Sequence, residues 1–310
     1  MSFVILWLYF YNVKIILRLF SLFVVLLTFN NYLNRQKKDF IYQDMGIFSK
    51  LFGNKTQDSK VKVVGKLAFL EVDMHNHILP GIDDGSQSIE QSIALLKGLG
   101  RMGFEKFICT PHIMDGVHPN SIRTIEASKD KLLAGLKGRP AMPEIHAAAE
   151  HMIDDGIAAL IDSNELCVMP GGYVLIEMSY LQESKALFQT ILDIQNLGYQ
   201  PILAHPERYN YYHYNFNVYK QIKDAGCMLQ LNLLSISRYY GVEVKSAALT
   251  MIKSGMYDFV GTDVHHERHL TALEDVVAKY PVRELLKTCP ILNPSLQDHL
   301  GNSKNTIAAG

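Results

Sequence analysis

Seven short, mostly apolar runs, each closing on a polar residue, limit what this chain can fold into. They occupy 67–74, 107–111, 145–149, 173–176, 201–204, 228–231 and 257–262. Each is strand-like in length and rich in branched or aromatic residues. The polar residues that end them are His75 with His77, His112, Glu150, Glu177, His205, Asn232, and Asp263 with His265. Helical patterns separate the runs, with apolar residues at three- and four-residue spacing over 88–102 and 122–136. Shorter candidates follow at 153–161, 181–196, 218–224 and 245–253, and Gly198, Gly226 and Gly255 stand where C-caps belong. One strand and one helix per ~30–40 residues is the rhythm of a parallel α/β barrel. A closing helical stretch is expected over 272–288, broken near Pro281, with a weakly ordered tail over 293–310.

In such barrels the chemistry sits at the C-terminal ends of the strands. A lone acid there is usually a helix cap. Histidines, glutamates and an aspartate at six of seven ends exceed what capping explains. Asp73, His75 and His77 lie two apart, so they share one face of the first strand. The converging candidates are His75, His77, Asp84, His112, Glu150, Glu177, His205, Asp263 and His265. Nine groups suit two or three ions rather than one. Imidazole and carboxylate without thiolate favour Mn, Fe or Zn in a working site over structural zinc. A carboxylate such as Glu150 can bridge two ions ~3.5–4 Å apart, an arrangement that hydrolyses phosphate esters. Asp73 is expected either to orient one of the paired imidazoles or to make a strand-end hydrogen bond. Seven histidines stay unassigned, with His118, in the loop after His112, the best extra candidate.

The string HPERY at 205–209 adds a second signal. Arg208 can grip a phosphate through its fork of donors, or else pair with Glu207 or another loop acid. The loop 209–216 is unusually aromatic, and Tyr211 and Tyr212 are candidates for a wall against a substrate ring, with loop packing as the alternative. Arg268 is a weaker phosphate candidate.

Composition excludes several classes. The chain has 310 residues and a net charge of −1, and no basic stripe suggests a nucleic-acid partner. Its four cysteines are scattered, with no CxxC and no arginine six positions on, so neither thiolate zinc nor a cysteine phosphatase loop is present. A Walker loop, a GxGxxG after a strand and a GxSxG elbow are all missing.

Residues 1–44 differ in kind. They are dominated by Phe, Leu, Ile and Tyr, interrupted by Lys14 and Arg18, and the uncharged stretch 19–29 has 11 residues where a span needs about 20. Two readings stand: an irregular membrane anchor, or upstream sequence translated in frame ahead of a start at Met45. Membrane contact is expected only if 1–29 is translated, and both readings put the rest of the chain in the cytoplasm. A linker over 45–66, a domain over 67–300 and a tail over 301–310 complete the expected organisation.

The strings DMHNHILPGIDDG at 73–85, TPH at 110–112, AAE at 148–150, IE at 176–177, AHPERY at 204–209 and GTDVH at 261–265 resemble the polymerase-and-histidinol-phosphatase (PHP) superfamily. Within it they are most similar to the manganese-dependent protein-tyrosine phosphatases of bacterial capsule and exopolysaccharide clusters. ILPGIDDG and HPERY together are specific to that branch. The resemblance implies a distorted (β/α)7, TIM-like barrel with three divalent metal ions. It implies one ion on His75, His77, Glu150 and Asp263, a second on Glu150, Glu177 and His205, and a third on Asp84, His112 and His265, with Arg208 on the phosphate. The implied partner is a tyrosine-phosphorylated protein, a bacterial tyrosine autokinase of polysaccharide export. A small-molecule phosphatase, for example acting on histidinol phosphate, and a metal-bound scaffold of the export machinery are the alternatives.

Overall fold

The computed structural model describes residues 64–139 and 142–300. The expectations for 1–44, for 45–63 and for 301–310 lie outside them. Among the described residues every strand pair is parallel. β1 (Val72–Asp73) pairs with β2 (Lys106–Cys109), and β2 with β4 (Glu144–Ala147). β3 (His112–Ile113) pairs with β5 (Glu150–Met152). From β5 the order runs through β6 (Tyr173–Glu177), β7 (Gln200–Ala204) and β8 (Met228–Asn232) to β9 (Phe259–Gly261). The architecture is a mixed α/β half-barrel of parallel strands.

Two expected strands are split in two. Pro111 has no N–H to give to a ladder, and the run 107–112 breaks there into β2 and β3. The run 145–150 breaks opposite it, at Ala148 and Ala149. Single bonds span the gaps: Ala148 N–H donates to Cys109 O at 2.8 Å, and Glu150 N–H to Pro111 O at 3.1 Å. At the other edge, Asn76 and Val264 form a parallel bridge. Asp263 N–H donates to His75 O at 2.8 Å and His77 N–H to Val264 O at 3.0 Å, so the ends of the first and last strands meet.

The helices follow the apolar spacing. α1 (Ile89–Met102) buries Ile93, Leu96, Leu99 and Met102 and is capped by Ser88, whose hydroxyl accepts from Gln91 N–H. α2 (Ile122–Leu136) starts on a reciprocal capping box between Ser121 and Thr124. α3 (Asp155–Asp162), α4 (Leu187–Asn196), α5 (Asn217–Asp224) and α6 (Val242–Lys253) follow. The expected helix over 181–196 starts six residues late, because 181–186 exposes Leu181 fully to solvent and has no apolar face to bury. α7 (Glu267–Lys279) and α8 (Val282–Leu285) flank Pro281, as the break there requires.

The expectation of a weakly ordered stretch from 293 needs correction. α9 (Asn293–Leu300) packs Leu296 and Leu300 against Val72, Ile108, Leu175 and Ile202. Asn293 is fully buried: its amide donates to Val72 O at 3.0 Å and Val260 O at 2.7 Å, and its oxygen accepts Val260 N–H at 2.8 Å. It ties β1 to β9 where their ladder is incomplete. Asn293→Ala leaves those three backbone groups without partners, and we expect a loss of about 3 kcal/mol in urea unfolding. A loss below about 1 kcal/mol would show that water replaces the amide there.

Candidate metal centre

All nine candidate ligands converge at the C-terminal strand ends. β1 delivers His75 and His77, both fully buried. Their Nε2 atoms stand 3.4 Å apart. Glu150 Oε2 is 3.3 Å from His75 Nε2 and 3.4 Å from His77 Nε2, and Asp263 Oδ1 is 3.4 Å from each. Glu150 Oε1 takes His205 Nε2 at 2.9 Å. His112 Nδ1 lies 3.1 Å from Glu150 Oε2 and 2.8 Å from Glu177 Oε1. Asp84, more than half exposed, reaches His112 and His265 at 3.5 Å each.

Four sets of three or four donor atoms come within 4.8 Å of one another: His77, Asp84, His112 and His265; His75, Glu150 and His205; His75, His77 and Asp263; and His112, Glu150 and Glu177. These sets contain all nine residues but divide them differently from the partition implied by the resemblance: His77 also lies with Asp84, His112 and His265, His75 with Glu150 and His205, and Glu177 with His112 and Glu150 rather than with His205.

These residues fit metal ions on one further observation. Glu150 Oε2, Glu177 Oε1 and His112 Nδ1 are buried and lack an aligned hydrogen bond. Buried polar atoms without partners are costly. Here their distances are short but their directions are not those of hydrogen bonds, so the atoms aim at shared points rather than at each other. That is how ligands face a cation.

The surrounding residues fix these donors. His77 Nδ1 lies 2.8 Å from Asp83 Oδ2, which also accepts His112 N–H at 3.2 Å. Asp83 Oδ1 accepts Gly85 N–H at 2.9 Å. The loop folds back so tightly that a Cβ on Gly85 would stand 2.2 Å from His77 O. His75 Nδ1 lies 2.9 Å from Gln230 Oε1, which also accepts His205 N–H at 3.2 Å. A Cβ on Gly261 would meet His75 Cβ at 2.5 Å, so glycine lets β9 approach β1 there. With Nδ1 donating, both imidazoles turn a lone pair on Nε2 towards the carboxylates. Asp263 Oδ2 accepts from Asn232 Nδ2 and from Arg208 Nη1, each at 2.7 Å, which leaves Oδ1 for the imidazoles.

Two site residues occupy left-handed backbone, His205 at φ 32° and Asp263 at φ 50°. Non-glycine residues are rarely held there without support. Glu207 gives that support to the first. It is fully buried, accepts Asn232 N–H at 3.0 Å and receives the Tyr257 hydroxyl at 3.0 Å. Tyr209 completes it, donating to Ala204 O at 3.1 Å and accepting Met178 N–H at 3.0 Å.

Charge is balanced inside the cluster. Burial opposes ionisation of Glu150, yet His75 and His112 hold its carboxyl well below the usual range. Burial likewise opposes the imidazolium of His112, but Glu150 and Glu177 outweigh it and push its pKa up to about 9. His77 is raised in the same way, with Asp83 as its main partner.

Four expected site residues stand elsewhere. Asp73 does not orient an imidazole: its carboxylate accepts Thr262 N–H at 3.0 Å and the Thr262 hydroxyl at 2.7 Å, a latch between β1 and the residue after β9. Burial raises its pKa to about 6, against those hydrogen bonds. Tyr212 is buried and packs edge-on against Tyr209, Tyr211 and Tyr219, so it is no substrate wall. Tyr211 stacks on Tyr209 and donates to Ser179 O at 3.0 Å, again as loop packing. Arg268 is exposed on the first turn of α7. Arg208, by contrast, pairs with Asp263 and not with Glu207. His118 stacks on His112 with centroids 5.6 Å apart, beside the cluster. Sequence reasoning missed Asp83 and Gln230. Gln230 could have been found, since it lies two residues before Asn232 on the same strand and shares its face.

Comparison with known proteins supplies the relatives. The family model for capsular polysaccharide synthesis proteins of the CpsB/CapC type matches residues 71–280. The protein called CapC of Staphylococcus aureus is 28% identical over 195 residues, 63% of this chain and 76% of that one. The tyrosine-protein phosphatase YwqE of Bacillus subtilis is 26% identical over 196 residues, 63% of this chain and 77% of that one. A structure from the YwqE and CpsB pair, metal-dependent tyrosine phosphatases of Bacillus subtilis and Streptococcus pneumoniae, superposes with a TM-score of 0.61. It is 25% identical and covers 71% of this chain and 96% of that one.

Proposed function

Because this chain belongs to the CpsB/CapC family of capsular polysaccharide synthesis proteins, we propose that it is a metal-dependent phosphatase of phosphotyrosine in proteins. The observation that carries the reading is Glu150, whose two buried oxygens face four imidazoles in the cluster that also holds Arg208 through Asp263. The ligands are His75, His77, Asp84, His112, Glu150, Glu177, His205, Asp263 and His265, and the oxygen and nitrogen donors suit three divalent ions, manganese first among them. Bound metal supplies a nucleophilic hydroxide and charge for the phosphoryl oxygens. The chain's own part is positional. Glu150 fixes the spacing of the imidazoles around it. Asp83 and Gln230 set the faces of His77 and His75. Arg208 presents its free donors to the phosphate. The closing bonds from Asp263 N–H to His75 O and from His77 N–H to Val264 O support reading the fold as a seven-unit barrel with this site at its mouth. The substrate is a tyrosine-phosphorylated protein, and the family's link to capsule synthesis points to a bacterial tyrosine kinase. The domain works in the cytoplasm, where four free, buried thiols are at home.

Chelation is expected to abolish hydrolysis of a phosphotyrosine peptide, and Mn²⁺ to restore it best. Thiol alkylation of the folded enzyme is expected to leave the rate intact. All four cysteines are buried, and burial pushes the Cys167 and Cys227 thiols up to about 12. Activity that survives chelation, with metal removal verified by elemental analysis, would overturn the proposal. Inactivation that tracks labelling of one cysteine in a folded protein would do the same.

A further inference from the structure

Three consecutive loops bring together a group that neither metal binding nor phosphate charge explains. Arg208, after β7, lies against the rings of both Tyr180, after β6, and Tyr240, after β8. Its Cζ is 4.5 Å from the Tyr180 centroid and 4.3 Å from the Tyr240 centroid. Two aromatic rings therefore flank the guanidinium, and Asp263 holds Nη1. The remaining donors lie in the guanidinium plane, beside the two rings. Tyr180 runs from inside to outside. Its hydroxyl is 3.5 Å from His205 Nε2, at the ligand cluster, while the residue is 40% exposed. Leu181 beside it is 94% exposed and extends the apolar rim. Tyr240 is braced by Tyr239, edge-on at 5.0 Å, and its hydroxyl accepts from Asn232 Nδ2 at 3.3 Å.

Resting on the phosphatase reading, we infer that Tyr180 and Tyr240 are the specificity-determining residues, forming an aromatic slot that favours aryl over alkyl phosphate monoesters. A phosphate on the in-plane donors of Arg208 directs its ester substituent out along the exposed part of Tyr180. A flat aryl group can lie against that ring, with the quadrupole match that aromatic pairs have. An alkyl group covers less of it. The same rings keep the guanidinium plane fixed, so Tyr180 and Tyr240 are also positioning residues for Arg208. The aromatic discrimination thus resides in the loops after β6 and β8, not in Tyr211 and Tyr212.

The test uses the full chain loaded with Mn²⁺. Wild type, Tyr180→Leu, Tyr180→Phe and Tyr240→Leu are assayed on one peptide carrying phosphotyrosine or phosphoserine, with kcat and KM resolved and metal content measured. The kcat/KM preference for phosphotyrosine is expected to fall about five- to tenfold in the two leucine variants, mostly through KM. Tyr180→Phe is expected to keep most of the preference, since the ring and not the hydroxyl does the selecting. Equal losses on both peptides, or a phenylalanine variant as impaired as the leucine one, would overturn the inference. Calorimetric binding of phenylphosphonate against methylphosphonate separates the two readings. If wild type turns over neither peptide but prefers the phenyl ligand, and Tyr180→Leu does not, the slot stands and the phosphatase reading falls. If wild type is active but shows no phenyl preference in binding, the phosphatase reading stands and the slot falls.

Discussion

Glu150→Ala is expected to lower kcat by at least about 10²-fold and to reduce bound metal together with it. Removing this side chain takes both oxygens away from His75, His77, His112 and His205 at once. Four imidazoles would then face one another across a buried gap, and repulsion between those that protonate would push them apart. Glu177 Oε1 already faces His112 and Asp263 Oδ1 already faces His75 and His77, so neither replaces the carboxylate shared among all four imidazoles. Glu150→Gln is a sharper variant, since it keeps the volume and removes the charge. Metal content by elemental analysis and turnover on a phosphotyrosine peptide decide the matter. Full occupancy with near-normal kcat in either variant would exclude Glu150 as a shared ligand.

The second large effect is expected at Arg208. Arg208→Ala and Arg208→Lys should both lower kcat/KM by roughly 10–10³-fold while metal content holds. Lysine keeps the charge but has neither the fork that spans Asp263 and a phosphate nor a flat face to lie against Tyr180 and Tyr240. Metal content holds because Asn232 Nδ2 still donates to Asp263 Oδ2, so that carboxylate keeps its orientation. If the lysine variant works as well as wild type, only the charge of Arg208 matters. If both variants lose metal, its part is to support Asp263 and not to bind substrate.

Much of this site can be read from the chain, because strands impose a period of two. That rule puts His75 and His77 on one face, and a strand's last residue is where a parallel sheet opens. The same rule carries to Gln230, whose amide is easily passed over because an amide does not advertise metal chemistry. Other features are out of its reach. Asp83 and Asp84 are adjacent, and only the fold of the loop decides that one is buried against His77 Nδ1 while the other, largely exposed, reaches His112 and His265. Tyr180, Tyr211 and Tyr212 all belong to loops whose turns have no fixed facing, so the sequence cannot tell which ring packs and which remains at the mouth. Asp73 obeys the period but sits too far back along the strand to reach the imidazoles, and Thr262 meets it first. The helix at 293–300 buries few residues, and its role depends on one asparagine whose partners lie at positions 72 and 260.

Those partners determine how such a chain must be made. The latch from Asp73 to Thr262 joins residues 189 apart, and Asn293 reaches 221 residues back to Val72. A ribosome adds about 5–20 residues per second, so the first strand waits many seconds for its last neighbour. Throughout that interval its outer edge is unpaired and open to other chains. A truncated product ending between His265 and Asn293 would carry all nine ligands yet lack the clasp that brings β1 to β9. Quality control during synthesis, more than affinity for metal, would then decide how much of such a product survives.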